Sequence, residues 1–108
     1  MKYILLLVLA LAPDSVRIKL QPQVVYAGNT VLVTCSVPRQ ANNRELTALL
    51  PNYTYSTRQL DGEATAITHR FEFKQVPCGV SEARCIVVDA YNNKKEAVAN
   101  LQVAGCEP

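Results

Sequence analysis

The sequence predicts an all-β protein, a two-sheet sandwich of about seven to eight short strands with two disulfides. Three observations predict it. Apolar and polar residues alternate with period two along several runs. Turn residues recur about every ten positions between those runs. The four cysteines form an even set in a chain of 108 residues, long enough for one domain only.

The first element is not part of the fold. Residues 1–15, MKYILLLVLALAPDS, place one lysine before an unbroken apolar run from Tyr3 to Ala12, followed by small residues. That is the layout of a secretory signal peptide. At about 1.5 Å per residue the run reaches only about half of a roughly 30 Å hydrocarbon core, so no membrane span is expected after its removal. Ala10-Leu11-Ala12 fits the small-x-small rule, but Pro13 follows it. Cleavage after Ser15 avoids that proline yet sets Pro13 where a small residue is wanted. The expected product is exported: periplasmic, secreted, or held at a virion or cell surface. Residues 16–108 then form the domain.

Along that domain VRIKL (16–20) and QVVYA (23–27) are short strand candidates. TVLVTCSV (30–37) alternates, with Val31, Val33, Cys35 and Val37 on one face. ELTALL (45–50) and TYSTRQL (54–60) follow. In AITHRFEFK (66–74), Ile67, His69, Phe71 and Phe73 share a face. ARCIVVDAYN (83–92) sets Ala83, Cys85 and Val87 together, and EAVANLQVA (96–104) aligns Ala97, Ala99, Leu101 and Val103. Ala27-Gly28-Asn29, Asn42-Asn43, Asp61-Gly62, Pro77 to Gly79 and Asn92-Asn93 punctuate these runs.

Two of the runs, VYAGNTVLVTCSV and ARCIVVDAYN, resemble the A′–B and F regions of the immunoglobulin-like family, and the match extends over about residues 16–106. The resemblance implies an inter-sheet bridge between Cys35 on strand B and Cys85 on strand F. Cys78 then lies in the loop before strand F, at the end of the sandwich where strand G finishes, and Cys106 lies just past strand G. A Cys78–Cys106 bond follows, the one pairing of three that obeys both the family pattern and the strand directions. Each ring contributes about 4 kcal/mol at most in the loop-entropy account. The sequence departs from the family in two places. There is no tryptophan, so Leu46, Ala48 and Leu50 must fill the inner face of strand C, and Ala83 stands where a tyrosine corner would begin. These departures favour a divergent bacterial or phage-type module over vertebrate antibody or receptor domains.

The residues exclude most chemistry. Eleven basic and nine acidic residues give a net charge of +2 without runs, too balanced for a nucleic-acid or anionic-membrane partner. Lys94 and Lys95 beside Tyr91 are explained equally well by a solvated hairpin. The single histidine, His69, has inward parity and reads as a structural residue rather than a general base. No nucleophile elbow surrounds any serine, Ser81 included, and no paired carboxylates are placed for acid–base work. Asp61 and Asp89 stand apart. No C-x2-C pair or histidine pair suggests a metal, and the four glycines are not clustered to cradle phosphate. No enzyme, metal or cofactor is expected. Asn52-Tyr53-Thr54 is a glycosylation sequon, meaningful only in a eukaryotic secretory pathway.

What remains is binding. In the family that the chain resembles, the B–C, D–E and F–G loops meet at one end. Here they would supply Arg39, Gln40, Asn42, Asn43, Arg44, Asp61, Gly62, Tyr91, Asn92, Asn93 and Lys94, types suited to recognising a protein or glycan surface. The competing explanation is that turns need such residues anyway. A second expected surface is the outward side of strands C, F and G, where Leu49, Ile86, Val88 and Val98 would form an apolar strip for self-association. The principal reading is an exported, non-catalytic interaction or adhesion module. The alternative is a structural assembly subunit, such as a phage virion decoration, whose sheet edges pair with identical copies.

Overall fold

A computed structural model describes residues 15–38, 40–61 and 67–106; residues 1–14 of the expected leader lie outside them. The described residues form nine strands and no helix: β1 (Arg17–Gln21), β2 (Val24–Tyr26), β3 (Val31–Ser36), β4 (Asn43–Leu50), β5 (Thr54–Gln59), β6 (Thr68–Phe73), β7 (Glu82–Asp89), β8 (Lys94–Asn100) and β9 (Gln102–Ala104). One sheet has the order β1-β3-β6 and the other β5-β4-β7-β8, with β2 and β9 forming a separate parallel pair. The first two sheets face each other across the core, as the alternation requires.

The valine-rich pattern of β3 explains its place. Val31, Val33, Cys35 and Val37 are buried while Leu32, Thr34 and Ser36 are only half-buried, and β-branched side chains pack well on a pleated surface. Facing them, Leu46, Ala48 and Leu50 have no exposed surface, which fills the space a tryptophan would otherwise take. Fully burying each leucine contributes about 2 kcal/mol. Cys35 and Cys85 are bonded through the centre, joining β3 to β7 with a Cα–Cα distance of 5.9 Å. Small partners make room for that bridge: Cys85 lies opposite Ala48 on β4 and Ala97 on β8. Cys78 and Cys106 form the second bond, also as expected, and both are exposed.

Three sequence expectations change. The final run is not one strand: Leu101 donates its N–H to Ser81 O, and Gln102 donates to Gln23 O. The chain thereby leaves β7 and continues beside β2, giving a ninth strand. Ile67, expected inward, is 47% exposed, because it precedes β6 at the rim, beyond the cover of the facing sheet. Finally, Asp61 lies two residues past β5, which pairs with β4, and the next described strand, β6, belongs to the other sheet. Its loop is therefore not the expected D–E connection, whose strands share a sheet in the family that the chain resembles.

The turn at Ala27-Gly28-Asn29 shows how local chemistry sets the path. Asn29 N–H bonds to Tyr26 O at 3.0 Å, and Gly28 has φ +91°, the positive value this tight turn needs at its third position. The turn returns the chain from the β2–β9 pair to β3. Val76, wholly buried, braces it by exchanging backbone bonds with Gly28 and Asn29.

Candidate functional site

Strands β3, β5 and β7 end, and β4, β6 and β8 begin, at one pole of the sandwich. Residues 37–38 and 40–42, 60–61 with Ile67, and 90–93 therefore meet there, as expected of the loop end. Backbone bonds hold them together: Val37 N–H to Ile67 O, Leu60 N–H to Arg44 O, and Ala90 N–H to Asn42 O, all at 2.8 Å.

Asp89 organises this pole, a role not assigned from sequence. Asn92 N–H bonds to Asp89 O and Asp89 N–H to Asn93 O, both at 3.0 Å, while Asn92 has φ +65°. This is the three-residue hairpin loop built on a type I turn, with Asn92 in the left-handed position. The Asp89 carboxylate accepts the backbone N–H groups of Tyr91 at 2.8 Å and Asn93 at 2.9 Å through Oδ1. Its Oδ2 receives the Asn42 and Asn93 side-chain amides at 3.4 Å. The Asn93 backbone bond is the largest cause holding this carboxyl below its ordinary value, and the Tyr91 amide and Lys95 charge act the same way. A signal for this role was present in the run Asp89-Ala90-Tyr91-Asn92, since aspartate favours the first turn position and asparagine tolerates positive φ.

The expected loop residues divide accordingly. Asn43 is a correction: it is only 4% exposed and its amide donates to Pro38 O at 2.8 Å, so it shapes the loop from inside instead of facing a partner. Gln40 accepts from Lys95 Nζ at 3.1 Å, which ties the first loop to β8. Asn42 and Asn93 are engaged with Asp89, so turn chemistry accounts for both. Arg44 is exposed and its Nη1 donates to Ala41 O and Asn43 O. Tyr91, Asn92 and Lys94 stand exposed along the hairpin, Tyr91 at 75%. Asp61 is exposed on the same pole. Arg39 and Gly62 lie outside the described residues.

The apolar strip is also corrected. Leu49, Ile86 and Val88 do point outward and Val98 is 50% exposed, so their parity is as expected. Strand register, however, sets Arg84 between Leu49 and Val98, Ile86 between Thr47 and Glu96, and Val88 between Glu45 and Lys94. Arg84 is ion-paired with Glu82 and, at 3.2 Å, with Glu96. The hydrogen bond to Glu82 is the first cause raising its already high pKa. A charged or polar neighbour thus interrupts the strip at every row. No single-strand reading could have found this, because the row is composed across strands.

His69 is buried opposite Cys35, consistent with a structural residue. Among the described residues, no group of three or more histidine, cysteine or acidic side chains could hold a metal. No buried side-chain nitrogen or oxygen in the described part lacks a partner. No described helix is long and apolar enough to cross a membrane. Two disulfides fit an oxidising environment.

No protein-family model matches the sequence, and no curated protein matches it. Among solved structures, the fold is similar to a superoxide reductase (neelaredoxin) from Ignicoccus hospitalis, with TM-score 0.60 over 82% of this chain and 80% of that one. The identity is 18%, so the likeness concerns the β-sandwich fold alone.

Proposed function

We propose that this chain is an exported, immunoglobulin-like interaction module without catalytic function, which recognises a protein or glycan surface through its loop pole. The observation that carries the reading is Tyr91, 75% exposed on a hairpin that Asp89 holds in one conformation. A large ring on a pre-ordered loop offers contact area at little entropic cost. Arg44, Asn92 and Lys94 supply exposed polar groups on the same pole. The enzyme named by the structural likeness lends no activity here, since only the fold is shared. The single histidine is packed inside, and the cysteines are all bonded.

The test is a glycan array together with a panel of extracellular-matrix proteins, probed with the purified protein and with the double variant Tyr91→Ala/Arg44→Ala. Binding should fall at least about tenfold in the variant while its melting temperature stays within a few degrees. A wild-type protein that binds nothing on either panel, or a variant that binds equally well, overturns the reading.

Self-association through the Leu49–Ile86–Val88–Val98 strip loses its basis in the interrupted register. Replacing Ile86 and Val88 with serine is therefore expected to leave the association state unchanged, as sedimentation would show.

A further inference from the structure

The two strands that border the open side of the sandwich, β5 and β6, differ in how their edges are guarded. Val37 N–H bonds to Ile67 O, so the alternation of an antiparallel ladder turns the backbone groups of Arg70, Glu72 and Lys74 outward from β6. Arg58 donates to Arg70 O, and Tyr53 Oη donates to Lys74 O at 3.1 Å. Those carbonyls are capped, and three charged residues line the edge. Such an edge resists pairing.

On β5 the opposite holds. Leu60 N–H bonds to Arg44 O, so Thr54, Ser56 and Arg58 turn their backbone groups toward β4, while Tyr55, Thr57 and Gln59 turn theirs away. Among the described residues, β4 is the only strand that pairs with β5. The run TYSTRQ contains no proline or lysine, and its register with β4 is unbroken. Its one charge, Arg58, is drawn to β6, with its guanidinium 4.1 Å from the Phe71 ring centre. Proline, lysine and a bulge, three common guards against edge pairing, are absent from this strand.

We propose that β5 pairs antiparallel with β5 of a second copy, about a two-fold axis at Thr57. In that register Thr57 faces itself, Tyr55 faces Gln59 and Ser56 faces Arg58. The three outward residues then each donate and accept, giving about six inter-chain hydrogen bonds. Moving the axis to Arg58 would oppose two arginines and leave outward groups unmatched. Centring on Thr57 keeps each arginine beside a serine and uses all three outward residues. The two four-stranded sheets become one continuous sheet of eight, and the axis places the two loop poles at opposite ends. The dimer would thus bridge two surfaces, whereas poles on one side would grip a single surface twice. The pairing rests on the edge alone and does not depend on the loop-pole reading.

The test is sedimentation of the purified, disulfide-bonded protein with Thr57→Pro and Thr57→Lys. Proline removes an outward N–H and costs no backbone bond to β4, and lysine sets two like charges together across the axis. Both lose the 3.1 Å hydroxyl contact of Thr57 with Thr47. The wild type should be a dimer, with its dissociation constant raised at least about tenfold in both variants and the melting temperature of the isolated chain lowered by no more than a few degrees. Amide exchange at Tyr55, Thr57 and Gln59 should slow as concentration rises. Thr57→Cys should cross-link to its own copy, since Cα atoms directly opposite lie about 5.5 Å apart, within disulfide reach. Tyr91→Ala/Arg44→Ala should leave the dimer intact, which separates this result from loss of loop-pole binding. A wild type that stays monomeric at millimolar concentration, or a dimer that survives Thr57→Lys, would falsify the proposal.

Discussion

The two lateral sides of this sandwich are closed by different means. On one side β1 and β8 adjoin, the chain crosses between sheets at Pro22, and β2 runs parallel with β9, held by backbone bonds and followed by the Cys78–Cys106 disulfide. Val25, Leu20 and Leu101 are buried beneath. On the other side no strand among the described residues spans the gap between β5 and β6. Among the described residues the contacts across it are made by side chains, Arg58 over Phe71 and Tyr53 to the carbonyls of Lys74 and Gln75. Backbone pairing and a covalent bond give a fixed seam. Side-chain crossings satisfy one edge and leave the other available, and the proposed pairing of β5 follows from that asymmetry.

The largest test concerns what both sides share. Replacing Cys35 and Cys85 with alanine should remove about 4 kcal/mol of chain-entropy stabilisation and add the cost of a cavity in the core, so the chain should be largely unfolded by near-UV circular dichroism. An equally cooperative transition in the double variant would show that the two layers cohere without the bridge.

A smaller loss is expected on the closed side. Cys78→Ser/Cys106→Ser opens a ring of similar entropic size, at most about 4 kcal/mol, but both positions are exposed and no core is voided. The sandwich should still fold, with faster amide exchange confined to β2 and β9. Graded reduction should cut this bond before the buried one, because a reductant reaches it directly. Simultaneous reduction of both would erase the distinction between seam and core.

On the open side Arg58→Ala should cost about 1 kcal/mol, the range for an exposed cation–π contact with one backbone bond. Urea denaturation would read it, and a loss as large as that from the terminal disulfide would mean the open side is no weaker than the closed one.

The smallest effect should arise at the pole, which belongs to neither side. The Asp89 carboxyl is held below its ordinary value of 3.8, so its contribution is complete above that value and is lost as pH falls through the lower, folded-state pKa. On acidification the Tyr91 and Asn93 amides should lose protection while strand amides elsewhere keep theirs. Asp89→Asn should loosen the hairpin at neutral pH. If the hairpin amides are indifferent to both changes, Asp89 does not organise the loop.

Much of this could be read from residues in order. The alternation in Val31-Leu32-Val33-Thr34-Cys35 determined which face of β3 is buried, since side chains on a strand project to opposite sides whatever lies beyond. The turn residues placed the strand ends to within a few positions. The disulfide pairing followed from a family resemblance, and the structure carries the same two bonds. The candidate site was legible in part. Asparagines 42, 92 and 93 were recognised as loop residues, but their own chemistry could not say which would be consumed in holding the turn. Asn43 shows the limit most clearly, for its burial depends on Pro38 O and the bulge between β4 and β7.

By itself, then, the sequence determined most of the strand faces and the even set of cysteines, properties of period and count along one chain. Only the tertiary structure decided that the outward apolar residues are separated by charges, that Leu101 turns β9 toward β2, and that one sheet edge is capped and the other is not. The physical reason is the same in each case. Neighbours across a sheet are set by register and by which strand lies alongside, and residues forty or fifty positions apart carry no local trace of that pairing.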